Sequence, residues 1–265
     1  MMTSLFRGML GLGLHATAVA LFLSFTLAVT VGYHLGRWAV IKRPAKSGET
    51  SAVSTLTAGM LGLLAFTLSL SINFAQNRYE ARRGLVLAEA NAIGTAWLRT
   101  KLIDGDDGPP IAAKIEDYAK ARLDFTVAAS DADVPALVAR SNALRNDIWR
   151  IEQVVARRSA NAVTVALVNA LNDVFDSSTS QQFAYESRVP AQLSMALFYG
   201  ALLTMGALGY QFGLSGKRQL VLSSLLLVMW SGGMMLMIEL SQPRMGDIRV
   251  DAEPLVWVIQ GFSEK

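Results

Sequence analysis

The chain is 265 residues long, 52% hydrophobic and only 17% charged, with a formal net charge of +3 and no cysteine. Soluble domains average about 45–50% apolar and about 25% charged residues, so this balance points to a membrane. It also excludes several chemistries. No Lys/Arg-rich run suits a phosphate backbone, so nucleic acid is not a partner, and disulfides, thiolate zinc sites, iron–sulfur clusters and cysteine nucleophiles are all ruled out.

Crossing the hydrocarbon core takes about 20 apolar residues. Residues 8–36 carry no ionisable side chain except His15 and His34, and form the first transmembrane helix. An A-x-A spacing between Ala16 and Ala20 is followed by more apolar chain, which reads as a retained anchor and not as a cleaved signal peptide. Residues 51–77 are uncharged and give the second helix, while 191–213 and 219–241 give a hairpin of the third and fourth. Residues 242–265 form a C-terminal tail.

Between the second and third helices lies a polar insert, 78–190, rich in Ala, Leu, Arg, Asp and Glu and interrupted chiefly by Asp104–Pro110 and Pro135. The pattern predicts helices near 74–103, 110–129, 134–158 and 159–186, with Asp131 or Asp133 as an N-cap ahead of Pro135, and no strand. The expected fold is therefore an all-α integral membrane protein with four transmembrane helices and a long helical extramembrane insert. Lys and Arg are retained in the cytoplasm during insertion. Arg37, Lys42, Arg43 and Lys46 in one short loop and Lys217 and Arg218 in the other predict cytoplasmic loops and a periplasmic insert in a bacterial inner membrane, although Arg78, Arg82 and Arg83 crowd the insert's start.

Projected at about 100° per residue, the second helix and its continuation place Ser51, Thr55, Gly59, Gly62, Phe66, Ser69, Asn73, Gln76, Asn77, Glu80, Gly84, Asn91 and Gly94 within roughly one quarter of the wheel. Leu61, Leu64, Leu68, Leu70 and Ile72 take the opposite side. Unbroken from Ser51 to Gly94, such a helix is on the order of 65 Å long. One reading of the small or polar stripe is packing, because Gly and Ser let helix backbones approach closely in lipid. The other is that several copies surround a water-filled path, where polar groups face water instead of lipid. Thr55, Gly59, Gly62, Phe66, Ser69, Asn73, Gln76, Asn77 and Glu80 would line that path, with Phe66 as a dewetting constriction.

Arg78, Arg82 and Arg83 would be vestibule charges that raise the local concentration of inorganic anions. The competing reading of Arg82, Arg83, Glu89 and Asn91 is intersubunit salt bridging and helix packing. Glu239, near the end of the fourth helix, is either an interfacial charge or a partner for Arg78 or Arg244. Gly59, Gly62, Gly206, Gly209, Gly232 and Gly233 offer close-approach surfaces for a homo-oligomer. No catalytic, metal or cofactor site is expected. His15 and His34 are too far apart to share a metal, the GLSGKR turn lacks phosphate-loop spacing, and Asp104, Asp106 and Asp107 lack the glutamate of a calcium loop.

The segment RYEARRGLVLAEANAIGTAWLRTKL from Arg78 is similar to the signature of the bestrophin-like family, also called domain of unknown function 4239. Supporting matches are NALNDVFD (Asn169–Asp176), Arg188–Val189–Pro190, GYQFGLSGKR and PRMGDIRVDAEPL (Pro243–Leu255). Where the family carries D-L-D-R-P, this chain has Glu239–Leu240–Ser241–Gln242–Pro243, which loses an acid and a base together. The resemblance implies four transmembrane helices per subunit, a ring of five subunits and anion conduction along the second helix. It also implies a cytosolic helical domain, opposite to the sidedness that the loop charges predict. Two functions stay open: an oligomeric, anion-conducting channel in the bilayer, or a non-conducting scaffold or envelope sensor whose insert binds a partner.

Overall fold

The computed structural model describes residues 13–42, 47–187, 190–244 and 246–263. Residues 8–12, Arg43, Lys46, Arg188 and Val189, which carried parts of the expectations above, lie outside the described residues. Among the described residues the elements are α1 (Leu14–Lys42), α2 (Ser47–Thr100), α3 (Gly108–Val127), α4 (Val134–Arg158), α5 (Ala162–Glu186), α6 (Ala191–Ser215), α7 (Leu220–Ser241) and α8 (Glu253–Gly261), with no strand. Four of them, α1, α2, α6 and α7, are long and apolar enough to cross a membrane. The chain divides into two compact units, Met1–Asn77 with Arg188–Ile248 and Arg78–Ser187 with Arg249–Lys265.

In the first unit α1 packs most closely on α6, and glycine is the reason. A Cβ at Gly32 would collide with the Gly206 carbonyl, one at Gly36 with the Tyr210 carbonyl, one at Gly209 with the Val29 carbonyl and one at Gly213 with the Tyr33 carbonyl. Lipid tails are as apolar as Leu, so close backbone approach replaces the hydrophobic effect as the force between these helices. Gly216 ends α6 in the left-handed region at φ +68° and lets the chain turn back into α7. Leu21, Phe25, Phe198, Met205, Trp230 and Met234 fill the space among the four spans. The α2 segment adds Thr57, Leu64, Ser71 and Ala75, spaced by about two turns and then one, as a buried seam.

These contacts redirect part of the glycine expectation. Gly206 and Gly209 serve the α1–α6 contact inside one chain, and Gly233 faces the Leu68 side chain, 2.9 Å from where a Cβ would sit. They are therefore not surfaces for a second copy. A Cβ at Gly59, Gly62 or Gly232, by contrast, would meet no atom of the described chain within 4 Å. The side of α2 bearing Leu61, Leu64, Leu68 and Ile72 faces the protomer's own core.

In the second unit α3 supplies Ile111, Ile115, Tyr118, Arg122 and Phe125, a helical-period stripe that packs with α2, α4 and α5 around Ile93, Ile148, Leu167 and Leu171. Burying each such large apolar side chain contributes roughly 1.5–3 kcal/mol. Arg158 holds Asp107 at the start of α3 through Nη1 at 2.7 Å from both carboxylate oxygens, which accounts for one acid of the turn. Asp133 occupies the N-cap of α4 without a side-chain bond. Asn161 does cap α5, accepting from the Thr164 amide at 2.9 Å, so that helix begins at Ala162 and not at 159. The tail contains an unexpected helix, α8, which lays Phe262 at 5.0 Å centroid distance from Trp97.

Candidate functional site

The α2 helix is unbroken for 54 residues, without a proline to interrupt it. A helix that long keeps one face in register over many turns. In the first unit that face carries Ser51, Thr55, Gly59, Gly62, Phe66, Ser69, Asn73, Gln76 and Asn77, and each of them is exposed in the protomer. Phe66 is 61% exposed, the largest apolar side chain on a row of small and polar residues. The Asn77 amide donates to Asn73 Oδ1 at 3.1 Å, one turn away, and Thr55 donates its hydroxyl to the Ser51 carbonyl at 3.1 Å. These bonds satisfy part of the polar capacity along the helix, which leaves each amide and hydroxyl further donors or acceptors. Leu70, expected on the opposite side with Leu61, Leu64, Leu68 and Ile72, instead flanks this face and is exposed, as is Leu63, because at about 100° per residue it falls beside the stripe.

In the second unit the same face continues through Glu80, Gly84 and Asn91, all exposed. It ends at Gly94, which lies under Val258 of α8 at 3.7 Å from an ideal Cβ. The three arginines separate here. Arg83 is exposed, and Arg78 is half-buried, donating from Nη1 to the Ser187 carbonyl at 3.2 Å. Arg82 is only 1% exposed, so its guanidinium belongs to the interior of the unit and presents no charge to a vestibule. One hydrophobic turn explains it: Arg82 shares the buried side of α2 with Val86, Glu89 and Ala90.

Glu89 also differs from the intersubunit reading. It is fully buried and bonded within the chain to Arg122, whose Nε donates at 2.5 Å and Nη2 at 3.3 Å. Arg122 donates as well to Gln181 Oε1 and, at 3.4 Å, to the Ser178 carbonyl, and Gln181 donates to the Thr126 hydroxyl at 3.1 Å. Burial pushes the Glu89 carboxyl up from its ordinary value, and Arg122 opposes that push. Glu239 accepts backbone amides from Asp247 at 2.6 Å and Ile248 at 3.0 Å, so this acid organises the chain leaving α7.

Sequence reasoning missed the glycine contact of α1, though its signal, the G-x-x-x-G of Gly32 and Gly36, stands in the chain. Nothing local marks the Glu89–Arg122 pair, whose members lie 33 residues apart.

Helical spans joined by a helical insert, with one polar face left open, define an all-α integral membrane protein. Residues 14–255 match the Bestrophin-like domain, and the chain belongs to that family. The fold is similar to that of a bacterial bestrophin homologue from Klebsiella pneumoniae, with a TM-score of 0.65 and 13% identity over 92% of this chain and 95% of that one. A point mutant of a Klebsiella pneumoniae bestrophin homologue superposes at a TM-score of 0.66, again 13% identical, covering 93% of this chain and 97% of the other. At that identity the likeness is one of fold. No match was found among the curated proteins.

Proposed function

We propose that this protein is an oligomeric ion channel, anion-conducting, in which copies of α2 surround a water-filled axis. The observation that carries the proposal is the uninterrupted exposure of the Thr55–Asn77 face in a helix long and apolar enough to cross the bilayer. An amide moved into a medium that cannot hydrogen-bond costs about 4–8 kcal/mol. Asn73, Gln76 and Asn77 together make that face untenable against acyl chains, so either water or another protein surface must meet it. Asn73, Gln76 and Asn77 beside the small residues favour water, since a close helix contact needs only small side chains.

Thr55, Gly59, Gly62, Ser69, Asn73, Gln76, Asn77 and Glu80 then line the path, and Phe66 forms its constriction. A ring of phenyl groups holds a narrow segment dry without a moving gate. Arg78 and Arg83 supply the cationic end and favour anions. The family likeness supports a ring of five subunits, and the basic residues of the two short loops favour cytoplasmic α1–α2 and α6–α7 turns in a bacterial inner membrane.

The test is ion flux from liposomes holding the purified protein, under separate chloride, potassium and proton gradients. Chloride efflux above empty liposomes, with little potassium movement, is expected. An intact assembly that moves no ion would overturn the channel and leave a scaffold whose polar stripe is closed by helix contacts.

A further inference from the structure

At the end of the first unit that carries the short basic loops, a cavity of about 130 Å³ opens between α1, α6 and the start of α7. A single water needs roughly 10–15 Å³, so a group of several heavy atoms fits. Tyr33, His34, Arg218 and Gln219, with the hydroxyl residues Thr30 and Ser223, supply its polar lining, and Val29, Phe212 and Leu220 its apolar part. The Arg218 guanidinium sits over the Tyr33 ring at 4.5 Å from its centroid, which orients a side chain that is otherwise exposed. The His34 ring meets Tyr33 edge-on at 5.7 Å. Arg37 adds a second guanidinium beside Gly216, two residues before Arg218. None of the ion pairs among the described residues uses Arg37 or Arg218.

The depth of the cavity narrows the ligand. Trp38 is 57% exposed with the Lys42 ammonium 4.2 Å from its ring centroid, the pairing of aromatic and cation that marks a membrane–water boundary. Tyr33 lies five positions before Trp38, about 7.5 Å along the helix at 1.5 Å per residue. Beyond the cavity, Leu220, Val221 and Leu222 present bare apolar side chains, 66%, 74% and 64% exposed. Cations at headgroup depth with an apolar surface running on from them match a lipid and not a free ion. Basic pockets between transmembrane helices bind acidic headgroups in this way.

We propose that Tyr33, His34 and Arg218, with Arg37 at the rim, hold the phosphodiester of an anionic phospholipid. Arg218 takes the phosphate oxygens through its planar N–H donors. The Tyr33 hydroxyl and the His34 imidazole supply further donors, and the acyl chains follow the exposed start of α7. The assignment is independent of whether the protein conducts ions.

Native mass spectrometry of the full-length protein, released from micelles containing equal phosphatidylglycerol and phosphatidylcholine, tests it. The wild type retains phosphatidylglycerol in preference. Arg218→Gln lowers that retention about tenfold or more, the loss expected when a charge-assisted hydrogen bond to the phosphate is removed. Lys217→Gln, which removes the same charge from the same turn but outside the cavity, leaves it unchanged. Tyr33→Leu keeps the charge but frees the guanidinium, and lowers retention without altering phosphatidylcholine binding. Equal loss in Lys217→Gln and Arg218→Gln would reduce the effect to diffuse surface charge and overturn the site. Displacement of the lipid by glycerol phosphate at matched concentration would make the ligand a free phosphate and overturn the lipid assignment.

Discussion

Glu152 offers the clearest perturbation in the insert. It lies on α4, 1% exposed, and neither carboxylate oxygen has a hydrogen-bond partner among the described residues. Burial alone pushes its carboxyl from the ordinary 4.5 up to about 7. A carboxyl with a raised folded pKa favours folding in its protonated form, so its contribution is complete below about pH 4.5 and lost as pH rises towards 7. The gap from 4.5 to about 7, at about 1.4 kcal/mol per pH unit, amounts to about 3 kcal/mol. For a unit of this size that corresponds to a fall in Tm on the order of 10 °C. The insert holds no histidine, since His15 and His34 are the only two in the chain, and Glu89 is the other carboxyl there that burial pushes up, so Glu152→Gln is the variant that isolates the effect. Thermal unfolding of the full-length protein in nanodiscs, followed by circular dichroism between about pH 5 and about pH 8, reads the effect. The wild type should melt lower at the alkaline end, and Glu152→Gln should flatten the profile. An unchanged slope in Glu152→Gln, or a Tm that rises with pH, would refute the reasoning.

Arg122→Ala strands the buried Glu89 carboxylate and should destabilise the insert by about 3–5 kcal/mol in chemical denaturation. The double change Glu89→Gln with Arg122→Met removes both charges and should cost less than the single one. Gly209→Val drives a side chain into the Val29 backbone, and overpacking of about 1–3 kcal/mol or more should separate α1 from α6, whereas Gly232→Ala, in open space, should leave the melting of the protomer unchanged. Phe66→Ala should raise ion flux while the assembly stays intact on size exclusion, because it widens a dry constriction. If Phe66 is instead a packing residue, the change should weaken assembly by about 3–5 kcal/mol with no gain of flux.

The bilayer made much of this fold legible. Hydrocarbon thickness fixes span length, so the uncharged runs 51–77, 191–213 and 219–238 marked three of the spans. The α2 stripe was legible for a related reason: an unbroken helix keeps its period, and Ser51 to Asn77 fall on one exposed face. Direction was harder to read. Gly206 and Gly59 look alike in the chain, yet one touches α1 and the other touches nothing in the protomer, a difference set by which helices become neighbours. Arg82 and Arg83 are adjacent in sequence and about 100° apart on the wheel, which is enough to bury one and expose the other. The partner of Glu89 had no local signature, because Arg122 reaches it only after α3 folds back. The helix at Glu253–Gly261 did carry a signal, Pro254 at its first turn ahead of an apolar run, that the word tail concealed.

The central claim is that water fills the space in front of the α2 face, and the cysteine-free chain permits a direct measurement. Single substitutions Ser69→Cys and Asn73→Cys on that face, and Leu68→Cys and Ile72→Cys on the side packed in the protomer, are reconstituted in liposomes and treated with a membrane-impermeant sulfonated thiol reagent during chloride efflux. Rapid block at Ser69→Cys and Asn73→Cys, with efflux unaffected at Leu68→Cys and Ile72→Cys, is the predicted result. Efflux through the untreated variants that continues unblocked at Ser69→Cys and Asn73→Cys, or block as fast at Ile72→Cys, would contradict a path lined by this face.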